Sequence, residues 1–236
     1  SKAIILAKLV NSRKIIGRGL RDHPEEVDMA RLQEVADKLT TNINSAGEAT
    51  NTDSLRGIEG ESARAYFSVF DQLILQQKED FPFQERNRRP PLDPVNALLS
   101  YIYTLLAIEC QNALESVGID PYVGFFHADR PGRAGLALDL MEEFRAYLGD
   151  RFVLSLINRR QIHGNDFVQK ENGAVLITDD AKKEIITAWQ KRKQEIIEHP
   201  FLKEKLEIGL LPYSQAMLMA SYLRGDLQAY PPFFVQ

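Results

Sequence analysis

The chain has 236 residues and a formal net charge of -4, with 44% hydrophobic and 26% charged residues. This composition is ordinary for a globular protein, and no apolar run reaches the length of a membrane span. The single cysteine, Cys110, excludes an internal disulfide and fits a reducing compartment. The negative total excludes a protein whose overall charge alone would attract nucleic acid.

Apolar residues at helical spacing predict three helices in the first part of the chain. A dense apolar set at residues 4–10 predicts a first, largely buried helix. Pro24 is expected to open a second helix, whose apolar residues recur as far as Leu39. Residues 40–51 are rich in Asn, Thr and Ser and favour a loop or a weak helix, whereas the apolar stripe of residues 59–77 predicts a third helix.

The remaining elements are also mostly helical. A linker rich in proline and arginine, residues 79–94, precedes a core helix over residues 95–116. The one β signal lies at residues 167–178, where Asn-Gly favours a tight hairpin turn. Two further helices follow: a basic one capped by Thr178 or Asp179 that runs to about His199, and a last one over residues 210–225; the tail at residues 230–234 has no regular pattern and is expected to be mobile.

These elements predict a mostly α protein in which residues 1–236 form a single helical domain with one small β-hairpin near residues 167–178. The first helices, residues 1–78, carry Glu59, and the core helices, residues 95–236, carry His127 and Asp139. Neither a signal peptide nor a transit peptide fits the start of the chain. The abrupt helical start suggests that an upstream domain is missing.

The strongest chemical signal is a segment that runs from Gly124 to Arg133 and leads into a helical pattern over residues 136–148. It places His127 and two arginines ahead of Asp139 and Glu142, which share a helix face because they are three residues apart. Carboxylates and an imidazole can hold a divalent cation, and arginines can hold a phosphate.

Each of these residues also has a simpler interpretation. The carboxylates could form a solvated acidic face, and a histidine beside two phenylalanines could be a packed, hydrogen-bonded residue. The turn at residues 129–133 favours the metal hypothesis, because it could fold His127 back over the acidic face. Glu59 is flanked by glycines at two nearby positions, and its spacing predicts an acid at the start of a helix, favoured by the helix dipole.

Arginines form the third part of the pattern. Arg86, Arg88 and Arg89 lie in the linker, and Arg130 and Arg133 lie in the turn. Each group alone is usually solvated surface. Together they could follow a phosphate backbone despite the acidic total, because affinity depends on the local patch.

Three blocks of the sequence resemble a known family. Residues 57–67, 88–99 and 127–145 are similar, in the same order, to the Cas1 family of CRISPR-associated spacer-acquisition integrases, the larger subunit of the adaptation complex. The ending at residues 210–226 resembles the variant found with type I-C systems. The resemblance covers nearly the whole chain. It implies the family's helical catalytic domain without its amino-terminal β-rich domain.

The resemblance also implies a site and an activity. Carried over by motif, the catalytic residues are Glu59, His127 and Asp139, and Glu142 joins them as a metal ligand. The implied cofactor is Mg²⁺ or Mn²⁺, which suits oxygen donors plus one imidazole. The implied reaction is attack by the 3′-hydroxyl of captured DNA on a phosphodiester at the edge of a CRISPR repeat, with hydrolysis by water as the nuclease activity.

The implied partners are double-stranded and branched DNA, the small subunit of the adaptation complex and a second copy of the full-length protein, in the cytoplasm of a prokaryote and without a membrane. Two other functions stay open. The chain could be a helical DNA- or protein-binding scaffold without catalysis, or a stand-alone metal-dependent nuclease that cuts branched DNA and never joins it.

Overall fold

The computed structural model describes residues 1–128 and 130–235, and eight α-helices account for most of them. Asp129, the first residue of the predicted turn, lies outside this range. The helices are α1 (Lys2–Asp22), α2 (Met29–Glu48), α3 (Thr52–Phe67), α4 (Pro94–Ser116), α5 (Gly135–Glu142), α6 (Arg151–Asn158), α7 (Asp179–Lys193) and α8 (Leu211–Arg224). A π-helix, Arg145–Asp150, and three short 3₁₀ turns lie between them.

The largest buried cluster has α4 at its centre. Its apolar residues face α5 and α8, and strand residues also pack against it. Asp93 caps the first turn, because its side chain accepts the Asn96 N–H at 2.7 Å, and Pro94 fits the first helical position. Cys110 lies in this core with no exposed surface, where burial raises the pKa of its thiol.

The second helix differs from its prediction at both ends. It begins at Met29 rather than at Pro24, because Asp28 provides the cap by accepting the Arg31 N–H. It also continues through residues 40–48, which the sequence favoured as a loop. Asn42 and Ala46 are buried there, and Asn42 donates a hydrogen bond to Ser62 in α3. Packing against α1 and α3 therefore outweighs the weak helix propensity of this segment.

Two other predicted helices have different bounds. The third helix begins at Thr52, so Glu59 lies at its middle and not in its first turn, where the dipole would act. The helix predicted over residues 136–148 is interrupted after Glu142, and a π-helix follows from Arg145 to Asp150. That interruption matters for the site, since π-helical segments redirect side chains.

The predicted hairpin is present, and a second one was missed. Strands β1 (Phe167–Gln169) and β2 (Val175–Ile177) pair antiparallel, as do β3 (Ile196–Glu198) and β4 (Lys205–Glu207). The basic helix α7 therefore ends at Lys193 and does not reach His199, which is fully buried. The His199 ring accepts the Leu202 N–H and pairs with Gln215 of α8. This tertiary contact has no periodic signal in the sequence.

The tail at residues 230–235 is packed rather than mobile. Phe233 has no exposed surface and lies against the rings of Phe144 and Tyr147. Its N–H donates to Glu143 at 2.8 Å, and the Asn11 amide donates to its carbonyl at 2.9 Å. These contacts connect the end of the chain to α1 and to the end of α5.

No helix in residues 1–128 and 130–235 combines the length and the apolar character that crossing a membrane requires. The division into first helices, linker and core helices stays a proposal. Within the linker, Phe81 and Phe83 are buried in the main cluster, and Asn96 accepts bonds from the linker residues Arg86 and Asn87.

Candidate metal and nucleic-acid site

Asp139 organises the loop that carries His127. Its carboxylate has no exposed surface and accepts three backbone N–H groups, those of Phe125, Phe126 and His127, at 2.6, 2.9 and 3.0 Å. The same carboxylate lies 2.6 Å from Nδ1 of His127. A ring whose Nδ1–H donates to a carboxylate presents the lone pair of Nε2 on its other side. Asp139 thus fixes both the loop and the orientation of the imidazole.

Phe126 anchors the same loop in a second apolar cluster. Its ring packs with Ile5 and Leu9 of α1 and with Leu55 of α3. Its carbonyl accepts the guanidinium of Arg56 at 2.7 Å, and this guanidinium also lies over the Phe126 ring. His127 is hydrogen-bonded to Asp139 and lies edge-on to the Phe126 ring, as the simpler interpretation expected, and its side chain stays 19% exposed.

Glu142 lies at the end of α5 among three cationic or ionisable groups. Its carboxylate accepts Arg145 NH1 at 2.9 Å and Lys8 Nζ at 2.7 Å. Nε2 of His127 lies 3.9 Å from its Oε1. Lys8 also pairs with Glu59, so one ammonium group joins α1 to both α3 and α5. The structure thus brings Glu59, His127 and Glu142 to one place.

The electrostatics favour an ionised Glu142. Burial raises the pKa of this carboxyl, but Arg145, Lys8 and His127 together outweigh burial and hold the pKa at about 2. Asp139 and Glu142 are both buried, with 0% and 3% of their surface exposed, so the solvated acidic face is wrong. Because Glu142 is ionised at neutral pH, it is available to a cation.

The next carboxylate, Glu143, points away into the core. It accepts bonds from Gln215, from the Tyr230 hydroxyl and from the Phe233 N–H. Burial raises the pKa of Glu143 to about 7, although these hydrogen bonds oppose the rise. Adjacent glutamates of one helix end thus serve different purposes, since one faces the candidate site and the other holds the tail.

The donor set fits a divalent cation. Carboxylate oxygens of Glu59 and Glu142 and one imidazole nitrogen suit Mn²⁺ and, with more water, Mg²⁺. In the part of the chain that the structure describes, no three His, Cys, Asp or Glu side chains already stand as a metal cluster. The Lys8 ammonium instead contacts both glutamates.

The motif assigned Asp139 to metal binding, and in the structure Asp139 contacts the loop that carries His127. Within the described residues, the hydrogen bonds of its carboxylate all go to Phe125, Phe126 and His127, and Asp139 has no exposed surface. Its carboxylate has the geometry of a group that orients a ligand, and Glu142 has the geometry of a ligand. The assignment of Glu59, His127, Asp139 and Glu142 as the metal set stays a prediction.

The five arginines predicted to bind DNA have different environments. Arg88, Arg89 and Arg130 are exposed and Arg133 is half-buried. Arg86 instead donates to Asn96 and Ser100 and lies over the Tyr103 ring. Burial lowers the pKa of Arg86 to about 10, which leaves it charged. Its bonds stabilise the linker against α4, so four of the five arginines are more accessible to a phosphate.

Sequence reasoning missed two cations of the site, Lys8 and Arg145. Arg145 donates to Glu142 and stacks on Tyr103, 4.4 Å from the ring centroid, and the Tyr103 hydroxyl donates to Asp150. A signal for Lys8 was present, since it is the one charged residue in the apolar run of residues 4–10. A charge on a buried helix face requires a partner.

Gly124 has a steric role in holding the His127 loop. An added Cβ would lie 2.9 Å from the Gly135 carbonyl carbon and 3.0 Å from the His127 carbonyl oxygen, both of which are backbone atoms. We expect Gly124→Ala to lower the free energy of unfolding by about 1–3 kcal/mol, because neither neighbour can move aside. Chemical denaturation followed by circular dichroism measures this difference.

Gly57→Ala is the matched control, since a Cβ there meets nothing within 4 Å and Gly57 lies within α3. It should raise the free energy of unfolding by about 0.5–1 kcal/mol through higher helix propensity. Equal effects of the two substitutions would show that the close approach at Gly124 is not maintained in solution.

Comparison with known proteins places this chain in a family. The family model described as CRISPR associated protein Cas1 matches residues 1–191. The chain is 54% identical over 233 residues to CRISPR-associated endonuclease Cas1 1 of Chlorobaculum tepidum, covering 99% of this chain and 68% of that protein. It is 48% identical to CRISPR-associated endonuclease Cas1 of Leptospira interrogans, covering 99% of this chain and 91% of the relative.

Solved structures agree with the sequence comparisons. A casposase bound to integration product superposes with a TM-score of 0.82 at 26% identity, over 97% of this chain and 61% of the casposase. A Cas6-RT-Cas1–Cas2 complex superposes with a TM-score of 0.83 at 26% identity, over 99% of this chain and 24% of that chain. The helical fold, the family match and the sequence identity over 99% of this chain agree. The chain therefore belongs to the Cas1 family.

Proposed function

We propose that this chain is the catalytic part of a metal-dependent DNA endonuclease and strand transferase of CRISPR adaptation. The observation that carries the proposal is that the buried cation Lys8 pairs with both Glu59 and Glu142, while Nε2 of His127 lies 3.9 Å from Glu142. Membership of the Cas1 family supports the nuclease class, and the likeness to a casposase bound to integration product supports strand transfer.

In this proposal Glu59, Glu142 and Nε2 of His127 hold Mg²⁺ or Mn²⁺. When bound, such an ion would polarise a phosphoryl oxygen and help to form the attacking alkoxide or hydroxide. Asp139 keeps Nδ1 of His127 protonated, so that the other ring nitrogen faces the cation. Arg145 keeps Glu142 ionised and fixed, since one guanidinium nitrogen of Arg145 donates to both carboxylate oxygens of Glu142.

The DNA is proposed to lie along the exposed arginines near this site. Arg130 and Arg133 share a turn that follows the His127 loop, in which the Arg133 N–H donates to the Arg130 carbonyl. A guanidinium at this turn can bind a backbone phosphate and stabilise the charge that develops during attack. Arg88 and Arg89 would extend the contact along double-stranded or branched DNA.

The proposed assembly follows from the relatives. One structural relative is a complex of Cas1 with Cas2, so we propose a small partner subunit of that kind for this chain. A homodimer of the longer protein and a location in the prokaryotic cytoplasm are part of the same proposal.

The test is cleavage and strand transfer on a branched DNA substrate, with Mn²⁺ and with a chelator, beside His127→Ala. We expect a metal-dependent product that falls below about one thousandth in the variant, because the loss removes a metal ligand. Arg13→Ala, an exposed arginine of α1, is the control and should retain activity. Full activity of His127→Ala would contradict the site.

The products also separate the alternatives. DNA binding with no metal-dependent product would favour the non-catalytic scaffold. Metal-dependent cuts without joined products would favour a stand-alone nuclease on branched DNA. Joined products that appear in Mn²⁺ and disappear with the chelator would support the integrase.

A further inference from the structure

Lys8 is a buried cation within the candidate site. Only 7% of its surface is exposed, and it lies on the face of α1 that also buries Ile5 and Leu9. A lysine at such a position is costly unless its ammonium is paired. Its two partners come from other helices, Glu59 in α3 and Glu142 in α5.

Burial of the two carboxylates, Glu59 and Glu142, is also costly without a nearby cation. Glu142 is almost fully buried and the Glu59 side chain is only 21% exposed. Two carboxylates sharing one ammonium would repel each other if it were removed, because the low local dielectric strengthens like-charge repulsion. Within the described residues, Arg145 pairs with Glu142 and forms no hydrogen bond or ion pair with Glu59.

The ammonium of Lys8 therefore lies where a divalent cation shared by Glu59 and Glu142 would lie. One position cannot hold both ions, so metal binding requires the side chain to move. Space is available, since a cavity of about 20 Å³ adjoins Lys8 and is large enough for one water-sized group. Ser12, Ser62 and Asp150 line this cavity and offer oxygen atoms to an ammonium.

We propose that Lys8 is an internal counter-cation that holds Glu59 and Glu142 together in the metal-free protein and withdraws toward Ser12, Ser62 and Asp150 when a divalent cation binds. This inference rests on the proposed function, because it assumes that the glutamates are metal ligands. Lys8 is a positioning residue in this scheme. Its ammonium holds Glu59 and Glu142 together while the site is empty. It competes with the metal for these two carboxylates.

Substitution of Lys8 should separate stability from metal affinity. In chelator, Lys8→Met should melt several degrees below the wild-type chain, because Glu59 and Glu142 lose their shared partner. In titrations with Mn²⁺ alone, followed by calorimetry, its Kd should be at least about tenfold lower, which corresponds to about 1.4 kcal/mol. Added Mn²⁺ should also raise its Tm more than it raises that of the wild type.

Lys2→Met is the matched control on the same helix, since Lys2 is exposed and its ammonium donates to the Gly47 carbonyl at 3.1 Å. It should change neither the Mn²⁺ affinity nor the metal-dependent rise in Tm. An unchanged or weaker Mn²⁺ affinity in Lys8→Met would overturn the role of Lys8 while leaving the proposed function standing. No Mn²⁺ binding by the wild-type chain would overturn the proposed function and this inference with it.

A measurement on the wild-type chain covers the case in which Lys8→Met does not fold. Nuclear magnetic resonance of ¹⁵N-labelled lysine ammonium groups detects a buried ammonium that exchanges slowly with water. The Lys8 signal, assigned by its absence in Lys8→Arg, should be present in chelator and should shift on addition of Mg²⁺. A signal that stays unchanged while Mg²⁺ binds would overturn the displacement.

Discussion

Glu142→Gln is expected to abolish metal-dependent DNA cleavage and Mn²⁺ binding, with a loss of activity of at least about a thousandfold. The substitution keeps the shape of the side chain and removes the charge that Arg145 and Lys8 stabilise. A carboxylate whose pKa lies at about 2 is ionised at any pH at which the protein works, and an amide is a poor ligand in its place.

Asp139→Asn should behave differently, because in the proposed site Asp139 orients a ligand instead of binding the metal. Metal affinity should fall by about 10–100-fold, the usual cost of a substitution behind a ligating histidine. Stability should also fall, because an amide group cannot accept all the N–H bonds that the carboxylate takes from Phe125, Phe126 and His127.

Mn²⁺ titration calorimetry and a cleavage assay measure both variants. Glu61→Gln is the control, since Glu61 lies on the exposed side of α3 and pairs with Lys38 at 3.1 Å. It should match the wild type in both assays. If Asp139→Asn lost all Mn²⁺ binding and Glu142→Gln kept it, Asp139 would be the metal ligand and the role proposed for Glu142 would be wrong.

Phe233→Ala is expected to lower the free energy of unfolding by about 3–5 kcal/mol. The ring has no exposed surface and lies 5.6 Å from the Phe144 ring and 5.9 Å from the Tyr147 ring, measured between centroids. Its removal leaves a cavity beneath the backbone bonds that Asn11 and Glu143 make to the tail. The tail should then detach, because its backbone bonds depend on the anchored ring.

Urea unfolding followed by the fluorescence of Trp189 measures this cost, since Trp189 is the single tryptophan and is buried. Phe201→Ala is the control for the loss of a phenyl ring, because Phe201 is 50% exposed. Its effect should stay within about 0.5 kcal/mol. A cost below about 1 kcal/mol for Phe233→Ala would show that the tail is mobile in solution, as the sequence suggested.

Periodicity and local chemistry determined much of this protein in advance. Strong apolar spacing predicted α1 and α4, and Thr178 was correctly expected as the cap of α7. The Asn-Gly pair predicted the first hairpin. These helices, this cap and this hairpin depend on residues close together in the chain. The sequence alone is therefore sufficient to predict them. The motif blocks similarly predicted the family, which the family match confirmed.

Long-range contacts decided the rest. Residues 40–48 are helical because they pack on two other helices, the second hairpin surrounds a histidine that pairs with Gln215, and the tail is held by Glu143. At the candidate site, spacing placed Asp139 and Glu142 on one face but could not distinguish their roles. Folding places them in different surroundings, because Asp139 accepts the N–H groups of the loop that carries His127 whereas Glu142 pairs with Lys8, 134 residues earlier in the chain.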